Sequence, residues 1–112
     1  KELLKGTLST IVLSLLAEKG RMYGYEITQS VKERSAGKLL VKEGSLYPAL
    51  HKMLADGWLT TTEETIGKRV RVYYELTTIG KSQLSLKKDE LFSFFEMLSN
   101  ILLPNPLSHG YS

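Results

Sequence analysis

The feature that most constrains the fold of this chain is a change of hydrophobic period at Gly57. Before Gly57, three segments carry apolar residues at the three- and four-residue spacing of amphipathic helices. After it, RVRVYYEL at residues 69–76 alternates strictly, which is typical of a strand with one packed and one wet face. A chain of 112 residues supports a single core, so these elements must share one apolar interior. Their order predicts a mainly α domain with a small β-hairpin.

Glycines and the residues before them set the limits of the three predicted helices. The first helix covers residues 3–19, and a lysine in its last turn is followed by a glycine. The second covers about residues 23–35 and stops at an Ala-Gly pair. The third contains KEGSLYPAL at residues 42–50 and closes at an Asp-Gly pair. No strand is predicted before Gly57.

The predicted hairpin pairs WLTTTEE at residues 58–64 with residues 69–76 across the turn TIGK. A two-stranded ribbon is barely stable alone, so its apolar face should rest on the helices. Its tip carries Lys68 and Arg69 and is expected to be exposed. The alternation places on the packed face Val70, Val72, Tyr74 and Leu76.

A fourth helix is predicted from the N-cap Thr77 to Leu103, where a proline ends it. Its leucines recur every seven residues and its phenylalanines widen the stripe, which gives more apolar surface than one small domain buries internally. A dimer seam is the favoured interpretation, and packing against the first helix is the alternative. The predicted seam contains Leu84, Leu91, Phe94, Phe95, Leu98, Ile101 and Leu102, with Leu4 and Leu8 from the first helix.

The residues of common enzyme chemistry are missing from the sequence. There is no cysteine, which excludes disulfides and thiolate ligands and fits a reducing cytoplasm. His51 and His109 have no second ligand at metal spacing, and no serine lies in a nucleophile elbow. No apolar run reaches the roughly 18 residues of a membrane span, and no secretory signal is recognisable. We expect a cytoplasmic protein that is not an enzyme and uses no metal or other cofactor.

Three helices followed by a two-stranded ribbon are the winged helix-turn-helix arrangement, in which the third helix enters the DNA major groove. The charge agrees with this interpretation, because residues 37–88 carry a net +4 and residues 89–112 carry −3. A basic middle attracts phosphate. The predicted organisation is a winged DNA-binding domain over residues 1–76, a dimerisation helix over 77–103 and a flexible tail over 104–112.

Pro48 is unusual in the third helix, because proline lacks an N–H group and disrupts helix interiors. A position near the helix start limits the loss to one or two hydrogen bonds. There, Lys42, Ser45 and the local backbone would hold a phosphate, while Gly44 would allow close approach. The alternative is that GSLY forms a turn, that the helix starts near Tyr47, and that this tyrosine is half-buried in the core.

Four linked motifs follow one another along the chain, namely YGYEI at 23–27, EGSLYPAL at 43–50, DGWL at 56–59 and RVYYELTTIGK at 71–81. Together they resemble the PadR family of bacterial transcriptional regulators, named for the repressor of phenolic acid metabolism. The resemblance covers about residues 6–82. The single last helix is similar to that of the compact subgroup of the family.

The resemblance implies a homodimer that binds an inverted-repeat operator, usually as a repressor, and often releases it when a small aromatic or drug-like molecule binds. It also implies that one ring of Tyr73 and Tyr74 packs in the core while the other faces outward. Arg21, before the second helix, is a further candidate for contact with the DNA backbone. The expected DNA-binding residues are Lys42, Ser45, Tyr47, Pro48, His51 and Lys52 near the recognition helix, and Lys68, Arg69 and Arg71 in the wing.

The chain departs from the family pattern in two places. Lys42 stands where members commonly have serine or another capping residue, and the last helix has no tryptophan to mark a drug site. A winged helix that binds protein rather than DNA is the competing interpretation, favoured by the modest net charge of +3 and by Glu63 and Glu64 on the hairpin. A small-molecule carrier that uses the aromatic seam without DNA is a third possibility.

Overall fold

The structure is a computed structural model that describes the backbone of residues 2–104 and the side chains of residues 7–104. It confirms the predicted winged helix-turn-helix with a long C-terminal helix. Within residues 2–104, none of the helices combines the length and the apolar character that a membrane span needs. The elements are α1 (Glu2–Lys19), β1 (Arg21–Tyr23), α2 (Gly24–Arg34), α3 (Glu43–Ala55), β2 (Leu59–Ile66), β3 (Arg69–Leu76) and α4 (Thr78–Leu102).

The sheet has one strand more than the sequence predicts. The strands are antiparallel in the order β1-β3-β2, and β1 places Met22 opposite Tyr74. Because β1 has only three residues, its sequence is too short to show an alternation. Its strand conformation comes from pairing with the edge of β3, which is a contact distant in sequence. The prediction that no strand precedes Gly57 is therefore wrong.

One apolar core joins α1, α2, α3 and the inner face of the sheet. Every buried side chain in the described part of the chain is apolar except that of Tyr74, which carries a hydroxyl. Burying a large aliphatic side chain stabilises a fold by about 1.5–3 kcal/mol, so these residues dominate the stability. The most completely buried ones are Val12, Leu13, Leu16, Ile27, Leu46, Leu50 and Met53.

Helix α3 begins at Glu43 and contains Pro48. The carbonyl of Lys42 accepts hydrogen bonds from the N–H groups of Ser45 at 3.0 Å and Leu46 at 2.9 Å, which starts the helix. The alternative start near Tyr47 is therefore wrong. The structure gives Lys42 no side-chain cap bond, as its lack of an acceptor predicts.

The first turns of α2 and α3 lie against each other at Gly24. A Cβ atom at Gly24 would stand 2.3 Å from the hydroxyl oxygen of Tyr47, so only glycine leaves room for this ring. Tyr47 is half-buried as a result. The contact fixes how the recognition helix sits on the helix before it.

Helix α4 is anchored to the hairpin at its first turn. Thr77 acts as the predicted N-cap, because its Oγ1 accepts from the Gly80 N–H at 3.0 Å and donates to the Gly57 carbonyl at 2.6 Å. The Thr77 N–H also donates to the carbonyl of Trp58 at 3.0 Å. Gly80 is buried, and a Cβ there would lie 2.1 Å from the same carbonyl oxygen. The start of α4 therefore has one well-defined position.

The C-terminal half of α4 is packed much less. Leu84 is buried and Leu91 is half-buried, but Ile101 and Leu102 are 69% and 67% exposed. The radius of gyration is 17.4 Å, whereas a compact chain of this size has about 13 Å. The helix therefore extends away from the winged domain. Of the tail predicted over residues 104–112, residues 105–112 lie outside the described part of the chain.

Candidate nucleic-acid interface

One side of α3 is open to solvent while the opposite side packs in the core. The inward side carries Leu46, Leu50 and Met53. At 100° per residue, the exposed α3 residues that were predicted to bind DNA fall on the opposite side, within about a third of the helix circumference. The half-buried Tyr47 lies beside this surface. The exposed face of α3 consists of Gly44, Ser45, Pro48, His51 and Lys52.

No contact within the described part of the protein requires glycine at position 44. A Cβ built at this position meets no atom within 4 Å. Glycine in a helix destabilises it by about 0.5–1 kcal/mol relative to alanine. Pro48 adds to this cost, because it cannot donate to the carbonyl of Gly44 four residues earlier. The helix therefore carries two unfavourable residues on the face that it presents to solvent.

The polar side chains farther along this face are accessible. Lys52 pairs with Asp56 at 3.0 Å, and its side chain is 77% exposed. Such an i,i+4 pair is worth only about 0.3–0.5 kcal/mol, so Lys52 can exchange it for another anion. His51 is exposed, and no cluster of histidine and acidic side chains suited to a metal ion occurs among the described residues.

The wing tip presents two cations without ion pairs. Lys68 and Arg69 are exposed where β2 turns into β3, and neither has an acidic partner within the described residues. Arg71, the third cation predicted to bind DNA, is half-buried two residues along β3. The two residues of the tip are therefore the wing cations that are most open to a ligand.

Two arginines and two tyrosines stack on the outer face of the sheet, and we call Arg21, Tyr23, Arg71 and Tyr73 the arginine–tyrosine stack. The guanidinium of Arg71 lies 4.0 Å from the ring centroid of Tyr23, and that of Arg21 lies 4.1 Å from that of Tyr73. The rings meet edge to face at 5.5 Å. Arg21 also pairs with Glu64, and this hydrogen bond raises the pKa of Arg21.

The adjacent tyrosines of β3 serve opposite faces, as predicted. Tyr74 is 5% exposed in the core, and burial raises the pKa of its hydroxyl above 10.0. Tyr73 accepts a hydrogen bond from Arg71 at 3.4 Å on the outer face, and this bond raises the pKa of Arg71. The side chain of Arg21, a candidate for contact with the DNA backbone, already interacts with Glu64 and Tyr73 within the sheet.

A cleft separates the first turn of α2 from the wing, with a volume of about 520 Å³. We call it the Tyr25 cleft, after an exposed residue that was not among those predicted to bind DNA. The sequence signal for Tyr25 is its spacing in α2, because it precedes the inward-facing Ile27 by two residues and so lies about 160° away from it, on the outer side of the helix. The cleft is lined by Tyr23, Tyr25, Ile66, Arg69, Val70 and Arg71.

The predicted seam residues occupy three different environments. Leu8 and Leu84 are buried in the chain's own core, so little of their surface is left for a partner. Leu91 and Leu98 are half-buried, and the side chain of Leu4 lies outside the described part. The large residues that remain exposed are Phe94, Phe95, Ile101 and Leu102.

Beside them, α1, α2 and α4 enclose an apolar groove of about 320 Å³. Leu15 and Leu39 line its inner side, while Leu91 and Phe92 border it from α4. Arg34 and Lys88 lie at its rim, and Arg34 is already paired with Glu18 at 2.7 Å. The groove therefore adjoins the exposed part of α4.

Residues 12–86 match the family described as the transcriptional regulator PadR-like family. The chain belongs to this family. It is 34% identical over 74 residues to the negative transcriptional regulator PadR of Bacillus subtilis, which covers 65% of this chain but only 40% of that protein. The PadR-like relatives of known structure are matched over much more of their length.

Two solved structures show how far the PadR-like architecture extends along the chain. A transcriptional regulator from Clostridium thermocellum superposes with a TM-score of 0.83 at 27% identity, covering 93% of this chain and all of that one. A PadR family transcriptional regulator from Eggerthella lenta gives 0.81 at 27% identity, covering 93% and 88%. The PadR-like resemblance and the DNA-binding winged-helix class predicted from the motifs are thus confirmed.

Proposed function

We propose that the protein is a cytoplasmic homodimeric repressor that binds an inverted-repeat operator through α3 and the wing tip. The observation that carries this proposal is the exposed first turn of α3, where Gly44 leaves the backbone uncovered. The first N–H groups of a helix have no intrahelical partners and favour an anion. Lys42 and Ser45 lie at this turn, so a DNA phosphate there would meet a cation, a hydroxyl and the backbone N–H groups of residues 43 and 44, with the Glu43 carboxylate as the one opposing charge.

The remaining exposed residues of α3 supply the contacts to the major groove. Pro48, His51 and Lys52 follow Gly44 on the same side of the helix, one to two turns from its start. Lys68 and Arg69 at the wing tip supply unpaired positive charge for the flanking backbone. Tyr47 supports this surface from below through its contact with Gly24.

A second copy of the chain is the proposed cover for the exposed part of α4. Phe94, Phe95, Ile101 and Leu102 form an apolar surface of a kind that monomeric proteins rarely expose. Pairing through these helices would place two recognition helices about 34–36 Å apart, one turn of B-DNA, or a multiple of it. The two-fold symmetry of such a dimer would match a dyad-symmetric operator.

A small aromatic or drug-like effector fits the apolar groove between α1, α2 and α4. Its volume of about 320 Å³ is at the lower end of the range for small-molecule sites. Because the groove adjoins the exposed part of α4, an occupant would alter the packing of α4 on α1. Such a change in the dimer would shift the distance between the recognition helices and release the operator.

The competing proposal, a winged helix that binds protein, has less support in the structure. Its sequence basis was the modest net charge of +3 together with the pair Glu63 and Glu64, which would repel phosphate. Glu64 is paired with Arg21, so its charge is largely neutralised within the sheet. The unpaired cations Lys68 and Arg69 instead leave the tip attractive to phosphate.

Selection of bound sequences from a random duplex pool tests the proposed function. We expect the wild type to enrich a dyad-symmetric motif at near-physiological salt, and the double variant Lys68→Ala/Arg69→Ala to lose it. If each protomer neutralises three phosphates, log K should fall against log salt with a slope of roughly −5. Lys32→Ala, which removes an exposed cation at the far end of α2, is the matched control.

The triple variant that also carries Arg71→Ala is a less specific test, because Arg71 belongs to the arginine–tyrosine stack. Enrichment by the Lys68→Ala/Arg69→Ala variant equal to that of the wild type would remove the wing from the DNA contact. No enrichment at any salt, with the dimer intact by light scattering, would instead favour the protein-binding module.

A further inference from the structure

The Tyr25 cleft has a polar and an apolar component. Tyr25 forms one wall and is 62% exposed, so its hydroxyl is open to a ligand. Arg69 stands on the opposite wall, with Ile66 and Val70 beside it, 43% and 61% exposed. A ligand with a negative group next to a compact apolar ring would satisfy both parts. A phosphodiester with its attached deoxyribose has this composition.

The back of the cleft is rigid. The ring of Tyr23 is held between the guanidinium of Arg71 at 4.0 Å and the ring of Tyr73 at 5.5 Å. The backbone N–H of Tyr23 donates to Glu26 at 3.1 Å, which fixes the first turn of α2. Side chains that are already ordered lose little conformational entropy when a ligand arrives.

The charge of the cleft also favours an anion. Arg69 has no ion pair within the described residues, and Arg71 makes a cation–π contact and a hydrogen bond rather than an ion pair. Glu26 belongs to the same turn, but its carboxylate accepts from the backbone of Tyr23. The carboxylate of Glu64 is paired with the guanidinium of Arg21. Two guanidinium groups therefore face the cleft against one nearby carboxylate, that of Glu26, which also acts on Arg71.

The cleft also lies between the two proposed DNA contacts. Gly24, next to Tyr25, is covered by the ring of Tyr47 from α3, and the opposite wall belongs to the wing. We propose that the Tyr25 cleft binds one backbone phosphate of the operator duplex, outside the base pairs that α3 reads. This inference rests on the proposed DNA-binding function. It adds a third anchor to the recognition helix and the wing tip.

Phosphate-ethylation interference on the selected duplex, with Tyr25→Phe and Tyr25→Ala beside the wild type, tests the inference. Loss of a hydrogen bond to a charged group predicts at least about tenfold weaker binding per half-site for Tyr25→Phe. Tyr25→Ala should bind more weakly still, because it also removes the ring that contacts the sugar. Both variants should lose interference at one flanking phosphate per half-site and keep it at the phosphates near α3.

Lys32→Ala serves as the control, because Lys32 is exposed on the same helix and does not line the cleft. It should bind with the affinity and the interference pattern of the wild type, and circular dichroism should show all variants folded. Unchanged affinity and interference in both Tyr25 variants, with the wild type binding normally, would overturn this inference alone. A wild type that binds no duplex would overturn the proposed function as well.

Discussion

The winged domain and the C-terminal half of α4 use similar residues in opposite ways. In the winged domain, leucines such as Leu46 and Leu50 are fully buried, and the core holds no charged group in the described part of the chain. In the second half of α4, Phe95, Ile101 and Leu102 are 47%, 69% and 67% exposed. The two regions meet at Leu84, which is the last buried residue of α4.

This difference shows which part of the fold the chain completes by itself. The winged domain has its own apolar interior, and its stability should depend little on protein concentration. The exposed surface of α4 gains its apolar burial only when a partner covers it. Substitutions in the two regions should therefore be distinguished by how their effects vary with concentration.

The largest expected effect is that of a substitution in the core of the winged domain. Leu50→Ala should lower the free energy of unfolding by about 2–5 kcal/mol, because it removes methyl groups and leaves a cavity. Urea unfolding at two protein concentrations would show the same loss at both. Leu40→Ala is the control, because Leu40 is 54% exposed. Equal losses in the two variants would contradict the assignment of the core.

A charge on the exposed face of α4 should act mainly on association. Phe95→Glu should raise the dimer Kd about 100-fold or more, because each protomer loses the burial of one large apolar side chain. Sedimentation over a dilution series measures this. Ser93→Glu is the matched control, since Ser93 lies about 200° away on the polar side of the helix. A Phe95→Glu dimer as tight as the wild type would place the seam elsewhere.

Two helical glycines provide a finer contrast. Gly80→Ala should lower the free energy of unfolding by about 1–3 kcal/mol, because its Cβ has no room beside the carbonyl of Trp58. Gly44→Ala should raise it by about 0.5–1 kcal/mol, since nothing surrounds that position. If DNA approaches the backbone at Gly44, the second variant should also bind its operator more weakly. A stabilised variant with full operator affinity would argue against that approach.

The smallest expected effect is alkaline destabilisation through Tyr74. Burial raises the pKa of the folded-state hydroxyl above the ordinary 10.0, so the unfolded state loses this proton first. Stability should be unaffected by this group below pH 10 and should fall as the pH rises beyond it. Tyr74→Phe should show a shallower fall above pH 10, with a constant difference from the wild type between pH 7 and 9. Parallel curves above pH 10 would contradict this role.

The parts of the fold that the sequence predicted well are those with local signals. The period change at Gly57, the cap at Thr77 and the glycine stops of the helices each involve neighbouring residues. The position of Pro48 inside α3 was likewise among the expected alternatives. The family resemblance supplied most of the α3 residues expected to bind DNA, and Ser45, Pro48, His51 and Lys52 are exposed on one side of that helix.

The features that were missed depend on contacts between distant residues. β1 exists because β3 pairs with it, and Leu84, assigned to the dimer seam, is buried because the start of α4 packs on α1, which was the alternative interpretation. The arginine–tyrosine stack brings Arg21 to Glu64, 43 positions later in the chain. No single window of the sequence contains both partners of such a contact, so spacing rules do not reveal them.

The shortness of β1 has a mechanical consequence for the wing. β1 pairs only with Tyr73–Glu75, so the sheet is three strands wide at its root and two strands wide at its tip. The wing should therefore be more flexible at its tip than at its base. The backbone amide hydrogens of the hairpin should exchange with solvent progressively faster from its base toward Lys68. If the tip binds the flanking DNA backbone as proposed, it can adjust to the path of that backbone without disturbing the helices that hold the base of the hairpin.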